Sequence, residues 1–300
     1  MTADEIERRK AEIVSQYGPW TVEDIDLGEG VLTFGRADAG GRNRLRAVVQ
    51  TIADAYNMTD LRGIRVLDLG CLEGLFSIEL ARHGADVVGV DVRAANLAKA
   101  RFAAEMCGLK IAFHHDDAIN VTADKYGTFD VVLFAGLLYH LNVRSIIAVF
   151  ENISGLIKRL ALIDTCFALD FDEQFDHNGE TYFGQSYIEF HDHEFFAEQV
   201  EAAAWSSNRD KIVFFLTVPS LVRLLSNYGF SSVQTVMVPE SRMSANRGLF
   251  VAHRNQRLKV KTGSDAFKAM QGAPILEGPS LTLTTPGKGR PPVNPESRKI

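Results

Sequence analysis

Three hundred residues, 46% hydrophobic and 23% charged, suffice for one large domain or two small ones with a sizeable core. A formal net charge of −6 argues against a partner held by phosphate neutralisation, which draws on clustered Lys and Arg, so nucleic acid is not the expected ligand. No apolar run of about 18 residues occurs, and the start MTADEIERRKAEIV is charged and helix-patterned rather than signal-like, so a cytoplasmic protein without membrane contact is expected.

Residues 1–43 read as an N-terminal helix followed by a lid segment, WTVEDIDLGEGVLTFG. From residue 44 to 165 amphipathic stretches alternate with short β-rich apolar runs. The helical stretches are RLRAVVQTIADAYN, GLFSIELARHG, AANLAKARFAAEMCG and VRSIIAVFENISGLIK. The apolar runs are IRVLDLG, ADVVGVDV, KIAFHHDD, FDVVLFAGL and RLALIDTCF. Strands buried on both faces and separated by helices predict a parallel sheet covered on each side, doubly wound by right-handed crossovers. TVPSLVRLLSNYGF then predicts a helix with Thr217 or Pro219 at its start and Gly229 past its end, and SSVQTVMVP with RGLFVAHR predicts a terminal antiparallel hairpin. The fold class is therefore α/β, a mostly parallel seven-stranded sheet over residues 44–254. Residues 168–216 form an insertion with a helix in HDHEFFAEQVEAAAWSS; placed at the carboxyl edge of the strands, it is expected to shape a substrate pocket. The tail 255–300 is basic, rich in Pro and Gly and without apolar periodicity, which predicts a flexible extension or, alternatively, a segment that closes over the site. Cys71, Cys107 and Cys166 lack metal-site spacing, and their odd number suits a reducing compartment.

The chemistry concentrates at strand ends. In VLDLGCLEG, Gly70 opens a turn and Gly74 lets the next helix pack against the sheet, but Glu73 beside them would repel the pyrophosphate that a G-x-G-x-x-G loop wraps. A cationic ligand reverses that argument. Asp68 and Glu73 suit the ammonium and sulfonium of S-adenosylmethionine, with turn amides, Cys71 included, for its carboxylate. Asp91 ends the second strand, where an acid accepts from ribose hydroxyls. Asp117 and Ala118 follow the third strand and suit an adenine edge.

This series in register with three strands resembles the class I S-adenosylmethionine-dependent methyltransferases over residues 44–254, although Leu72 stands where a second glycine is frequent. FAGLLYHL, FLTVPSLVRLLSNYGFSSV and the lid segment resemble a subgroup that includes tRNA wobble-uridine (carboxy)methyltransferases and small-molecule or sugar O-methyltransferases. That resemblance implies that Tyr139 lies near the cofactor. Ala135 and Gly136 would border the methionine moiety, and Tyr17, Trp20, Phe34 and Arg44 are candidates for contact with cofactor or acceptor. Trp20 has plain packing as its alternative, and Arg44 a solvated charge.

Methyl transfer is an in-line displacement, and a hydroxyl acceptor must also lose its proton. His140, after the fourth strand, is the expected general base; a helix-capping role is the alternative. Asp164, at the end of the fifth strand, could join Glu189, His191 and His193 of IEFHDHE around a divalent cation such as Mg²⁺. The expected function is O-methylation of a small molecule, a carbohydrate or secondary metabolite. A tRNA wobble-uridine methyltransferase and a non-catalytic cofactor-binding module are the alternatives. Oligomeric state is not legible in the sequence.

Overall fold

The structure is a computed structural model; it describes residues 1–258 except 22–23, 36–38, 192–196, 204–205 and 238–244, and no side chains at 39–41 and 197. Met1–Gln256 form one compact unit, and of a second, Arg257–Ile300, only 257–258 are described, so the expectations for the tail lie outside the described residues. No helix among the described residues is long and apolar enough to cross a membrane.

Helix α1 (Ala3–Tyr17) starts at Thr2, whose hydroxyl accepts from Glu5 N, with Asp4 and Glu5 in its first turn where the helix dipole favours acids. After the lid come α2 (Ala39–Tyr56), β1 (Arg65–Leu69), α3 (Leu75–Arg82), β2 (Asp86–Asp91), α4 (Ala94–Met106), β3 (Ala112–His115), α5 (Ala123–Tyr126), β4 (Phe129–Ala135), α6 (Val143–Ile153) and β5 (Ile157–Cys166). The insertion supplies β6 (Glu173–His177), β7 (Glu180–Ile188), α7 (Ala197–Ala202) and β8 (Ile212–Leu216). The chain then returns through α8 (Val218–Asn227), β9 (Ser232–Val236) and β10 (Arg247–His253).

The main sheet runs β3-β2-β1-β4-β5-β10-β9, with β1 to β5 parallel and β10 antiparallel to both neighbours, which gives the doubly wound sheet and terminal hairpin read from the sequence. Alternate side chains feed opposite cores. Val66, Val131, Leu133, Leu160 and Leu162 pack with Val48 and Ile52 of α2 on one side. Leu67, Val132, Phe134, Ala161 and Ile163 pack with Ile146, Phe150 and Leu224 of α6 and α8 on the other. This is why these strands read as continuous apolar runs. Beyond β3 the chain returns to lay β4 beside β1, so the crevice at their carboxyl ends is the topological switch point where such sheets bind ligands.

The insertion departs from expectation. Its main feature is a three-stranded antiparallel sheet, β6-β7-β8, and the helix expected over 191–207 is described only as the six-residue α7. The overlooked signal is Asn178-Gly179: both adopt positive φ (51° and 81°), as a two-residue hairpin turn matched to strand twist requires, and His177 pairs with Glu180 across it.

Candidate active site

A cavity of about 480 Å³ opens at the carboxyl edge of the strands, lined on its floor by Asp68, Gly70, Asp91, Asp117, Ala135 and Tyr139. The turn after β1 shapes one wall. Gly70 has φ 69°, and a Cβ there would lie 3.2 Å from Leu137 Cδ1. Gly74 has φ 89°, and its Cβ would meet that of Ala100 at 2.9 Å, which is the close helix packing expected of it. Leu72 adopts φ 50°, a left-handed conformation that explains why glycine suits this position, and its N–H donates to Asp91 Oδ2 at 2.9 Å.

Four amides of the turn are engaged within the fold: Gly70 N and Cys71 N both donate to Val90 O, Gly74 N to Cys71 O and Leu72 N to Asp91 Oδ2. The Cys71 side chain lines the cavity, 5% exposed. Asp68 answers the expectation best. It is 1% exposed; its Oδ2 accepts from Ser77 Oγ at 2.6 Å, while Oδ1 has no partner. Burial pushes its carboxyl up to about 7, against the Ser77 bond and with help from the Asp91 charge. Asp91 is held by Arg93 N (2.9 Å) and Asn96 Nδ2 (3.2 Å) on Oδ1, and its carboxyl is also raised by burial.

Glu73 lines the cavity. Its carboxylate accepts from Thr21 N at 3.0 and 3.1 Å and pairs with Lys99, both side chains being 3% exposed. Lys99 also donates to Pro19 O at 3.1 Å. The acid therefore fastens the lid segment to α3 and α4. Asp117 lines the cavity beside Ala118, but Oδ1 accepts from Ile119 N and Oδ2 pairs with Arg209 at 3.0 Å.

Lid residues divide. Thr21 and Ile25 line the cavity, whereas Trp20 is 1% exposed and tilts on Phe102 at 5.9 Å in a core with Leu27 and Leu97, so packing is its role. Tyr17 and Phe34 do not line the cavity either; Phe34 N and Gly35 N close the lid's loop on Asp24 Oδ1.

On the exit of β4, His140 lines the cavity and its Nδ1 lies 2.5 Å from Glu189 Oε1, just past β7. Tyr139 packs against it at a tilt, ring centroids 4.2 Å apart, under the Arg247 guanidinium at 5.3 Å; burial raises the Tyr139 hydroxyl's pKa. Asp164, 3% exposed, is clasped by Arg247 Nε (2.8 Å) and Nη2 (2.9 Å) and by Arg44 Nη1 (2.8 Å). Arg44 is thus a cavity-lining, paired cation rather than a solvated charge. The residues named for a divalent cation are engaged otherwise: Asp164 is held by two guanidinium groups and Glu189 by His140, while His191 is exposed. Among the described residues no three His, Cys, Asp or Glu side chains converge, and His193 lies outside them.

Sequence reasoning missed Thr21, Arg93, Lys99 and Arg247, because each acts through a partner distant in the chain. Arg93, 4% exposed, donates to Val200 O, Ser206 O and Ser207 O, which hang Ser206 to Asn208 over the crevice. The residues present fit S-adenosylmethionine. An orphaned buried carboxylate oxygen at Asp68 suits a cation, and Asp91 stands at the ribose position beside a turn that glycines keep open.

A doubly wound sheet with an antiparallel seventh strand and an acid-ringed crevice at its switch point defines the class I S-adenosylmethionine-dependent methyltransferases. Residues 66–159 of the chain match the "Methyltransferase domain" family. It is 40% identical over 88 residues to a ubiquinone biosynthesis O-methyltransferase of Azorhizobium caulinodans, covering 29% of this chain and 34% of that protein. It is 41% identical over 104 residues to a magnesium-protoporphyrin O-methyltransferase of Rhodobacter capsulatus, covering 33% of this chain and 42% of the relative. The match thus spans about a third of the length of the first of these relatives. Among solved structures, the N-terminal domain of EvdMO1, in the presence of SAH and D-fucose, superposes with a TM-score of 0.63 at 26% identity, covering 84% of this chain and 97% of that one.

Proposed function

We propose that this protein transfers the methyl group of S-adenosylmethionine to a hydroxyl of a small molecule, most specifically a carbohydrate, with His140 as general base. The observation that carries this reading is the 2.5 Å contact between His140 Nδ1 and Glu189 Oε1 at the rim of the acid-ringed cavity. A carboxylate only accepts, so Nδ1 is the donor in that bond and Nε2 keeps the lone pair. The Glu189 contact thereby fixes the tautomer, holds the ring and favours the imidazolium formed when the acceptor proton arrives.

The cofactor supplies an electrophilic methyl group on a sulfonium. Asp68 Oδ1 suits its ammonium, Arg44 its carboxylate, Asp91 its ribose and Ala118 its adenine, while Thr21 and Ile25 exclude water from above. Two comparisons support the acceptor class: the curated relatives are O-methyltransferases, and the EvdMO1 domain was studied with a sugar.

His140→Ala tests the base. With labelled cofactor and a panel of monosaccharides and phenols, kcat is expected to fall by about 10²–10⁴-fold, while SAH binding by calorimetry persists. Glu189→Gln keeps the ring but loses the carboxylate, and is expected to lower kcat by roughly 10²-fold. Unchanged turnover in His140→Ala would remove the base assignment, and label entering bulk tRNA instead of sugars would remove the acceptor class.

A further inference from the structure

The strand that delivers Glu189 to His140 also presents a row of rings. Side chains two apart on a strand share a face, so Phe183, Gln185 and Tyr187 of β7 lie on the Glu189 side. Phe215 of β8, paired with Gln185, joins them. The other face of this small sheet is spent on the core, where Tyr182, Phe214 and Leu216 are buried. The Glu189 face stays open: Tyr187 is 39% exposed and Phe171, which packs on Phe183 at 4.8 Å, 37%.

The row is continuous with the reacting centre. Tyr139, in the cavity, meets Phe215 edge-on at 6.1 Å, and Phe215 meets Tyr187 at 4.1 Å. Polar groups are set among the rings, since the Tyr187 hydroxyl donates to Gln185 Oε1 at 3.1 Å. Exposed aromatic faces with an amide and a phenol between them match molecules that have apolar ring faces and hydroxyl rims.

We infer that this face is an acceptor platform, and that the acceptor is a glycoside of at least two rings: one sugar enters the cavity beside His140 while the next ring stacks along Phe215 and Tyr187. The inference rests on the carbohydrate reading above and narrows it, because a monosaccharide confined to the cavity would leave the platform without a ligand.

The test uses the full chain with SAH bound and two probes, D-fucose and its 4-nitrophenyl β-glycoside. Calorimetry is expected to show the glycoside binding about tenfold more tightly, the scale of one added stacking contact. Saturation-transfer NMR should mark the nitrophenyl ring protons. Tyr187→Ala should erase most of that advantage and Tyr187→Phe retain it, with SAH affinity and thermal unfolding midpoint showing that both variants fold. Equal affinity for the two probes, an unmarked nitrophenyl ring, no binding of either, or an advantage that survives Tyr187→Ala overturns the platform. In a parallel assay with labelled S-adenosylmethionine, glycoside binding without methyl transfer upholds the platform and counts against the His140 chemistry; transfer to D-fucose alone does the reverse.

Discussion

Asp68 is the residue whose ionisation reports on the ligand. Its carboxyl is raised from the ordinary range to about 7 by burial. Between about pH 4 and 7 the folded chain therefore holds a proton that the unfolded chain has lost, so this group's contribution to stability falls as pH rises through that window. A bound ammonium prefers the carboxylate, which gives the opposite trend for binding. SAH affinity is expected to tighten by up to about eightfold from pH 6 to pH 7.5, with proton release detectable as buffer-dependent binding enthalpy. Asp68→Asn should bind weakly and without that slope. A flat affinity profile in the unaltered protein would mean that Asp68 does not meet the cation. That Asp68 and Asp91 line the crevice was legible because they sit at strand ends in a sheet whose order the sequence implies. The buried ion pair of Glu73 was not legible, because no local pattern announces Lys99.

The pair that Glu73 makes belongs to the scale of elements. A buried pair, Lys99 on α4 and Glu73 before α3, together with Thr21 and Pro19 in the lid, forms a junction that sets the lid against the two helices. Removing one partner of such a pair leaves an uncompensated charge in a low-dielectric interior. Lys99→Met is expected to cost about 3–5 kcal/mol in urea unfolding and to weaken SAH binding as the lid loosens. The double variant with Glu73→Gln should recover part of that loss, and a single variant as stable as the parent would show that the junction holds nothing. The seven main strands and most helices were readable from apolar runs and caps, down to Thr217, whose hydroxyl accepts from Ser220 N at the start of α8. The small sheet was not, since its strands face the core on one side only and mix Thr, Gln, Ser and Glu with aromatics; its one strong local sign was Asn178-Gly179.

At the scale of the whole molecule, the insertion is tied to the cofactor half of the crevice by Arg93. Its guanidinium bonds three carbonyls of the 200–207 segment, and Asp91, two residues earlier, accepts its backbone N–H. Asp210 is fastened to the exit of β4 through Asn142 N and Nδ2. The two anchors place Ser206 to Asn208 over the crevice. Arg93→Ala is expected to speed amide exchange in β8 and in the segment before it, and to raise KM for the acceptor more than it lowers kcat. Exchange unchanged from the parent would show that Asp210 suffices to hold the insertion.

The sequence by itself determined the sheet, its winding and the acids on its carboxyl edge, because hydrophobic period and glycine turns are local and the switch point follows from strand order. Only the tertiary structure decided which charges face the ligand and which are consumed by each other. Asp164, Glu73 and Glu189 look alike in the chain, yet two guanidinium groups, a buried lysine and a histidine claim them. An ion pair is made by proximity in space, and residues 120, 26 and 49 positions apart carry no periodic trace of it.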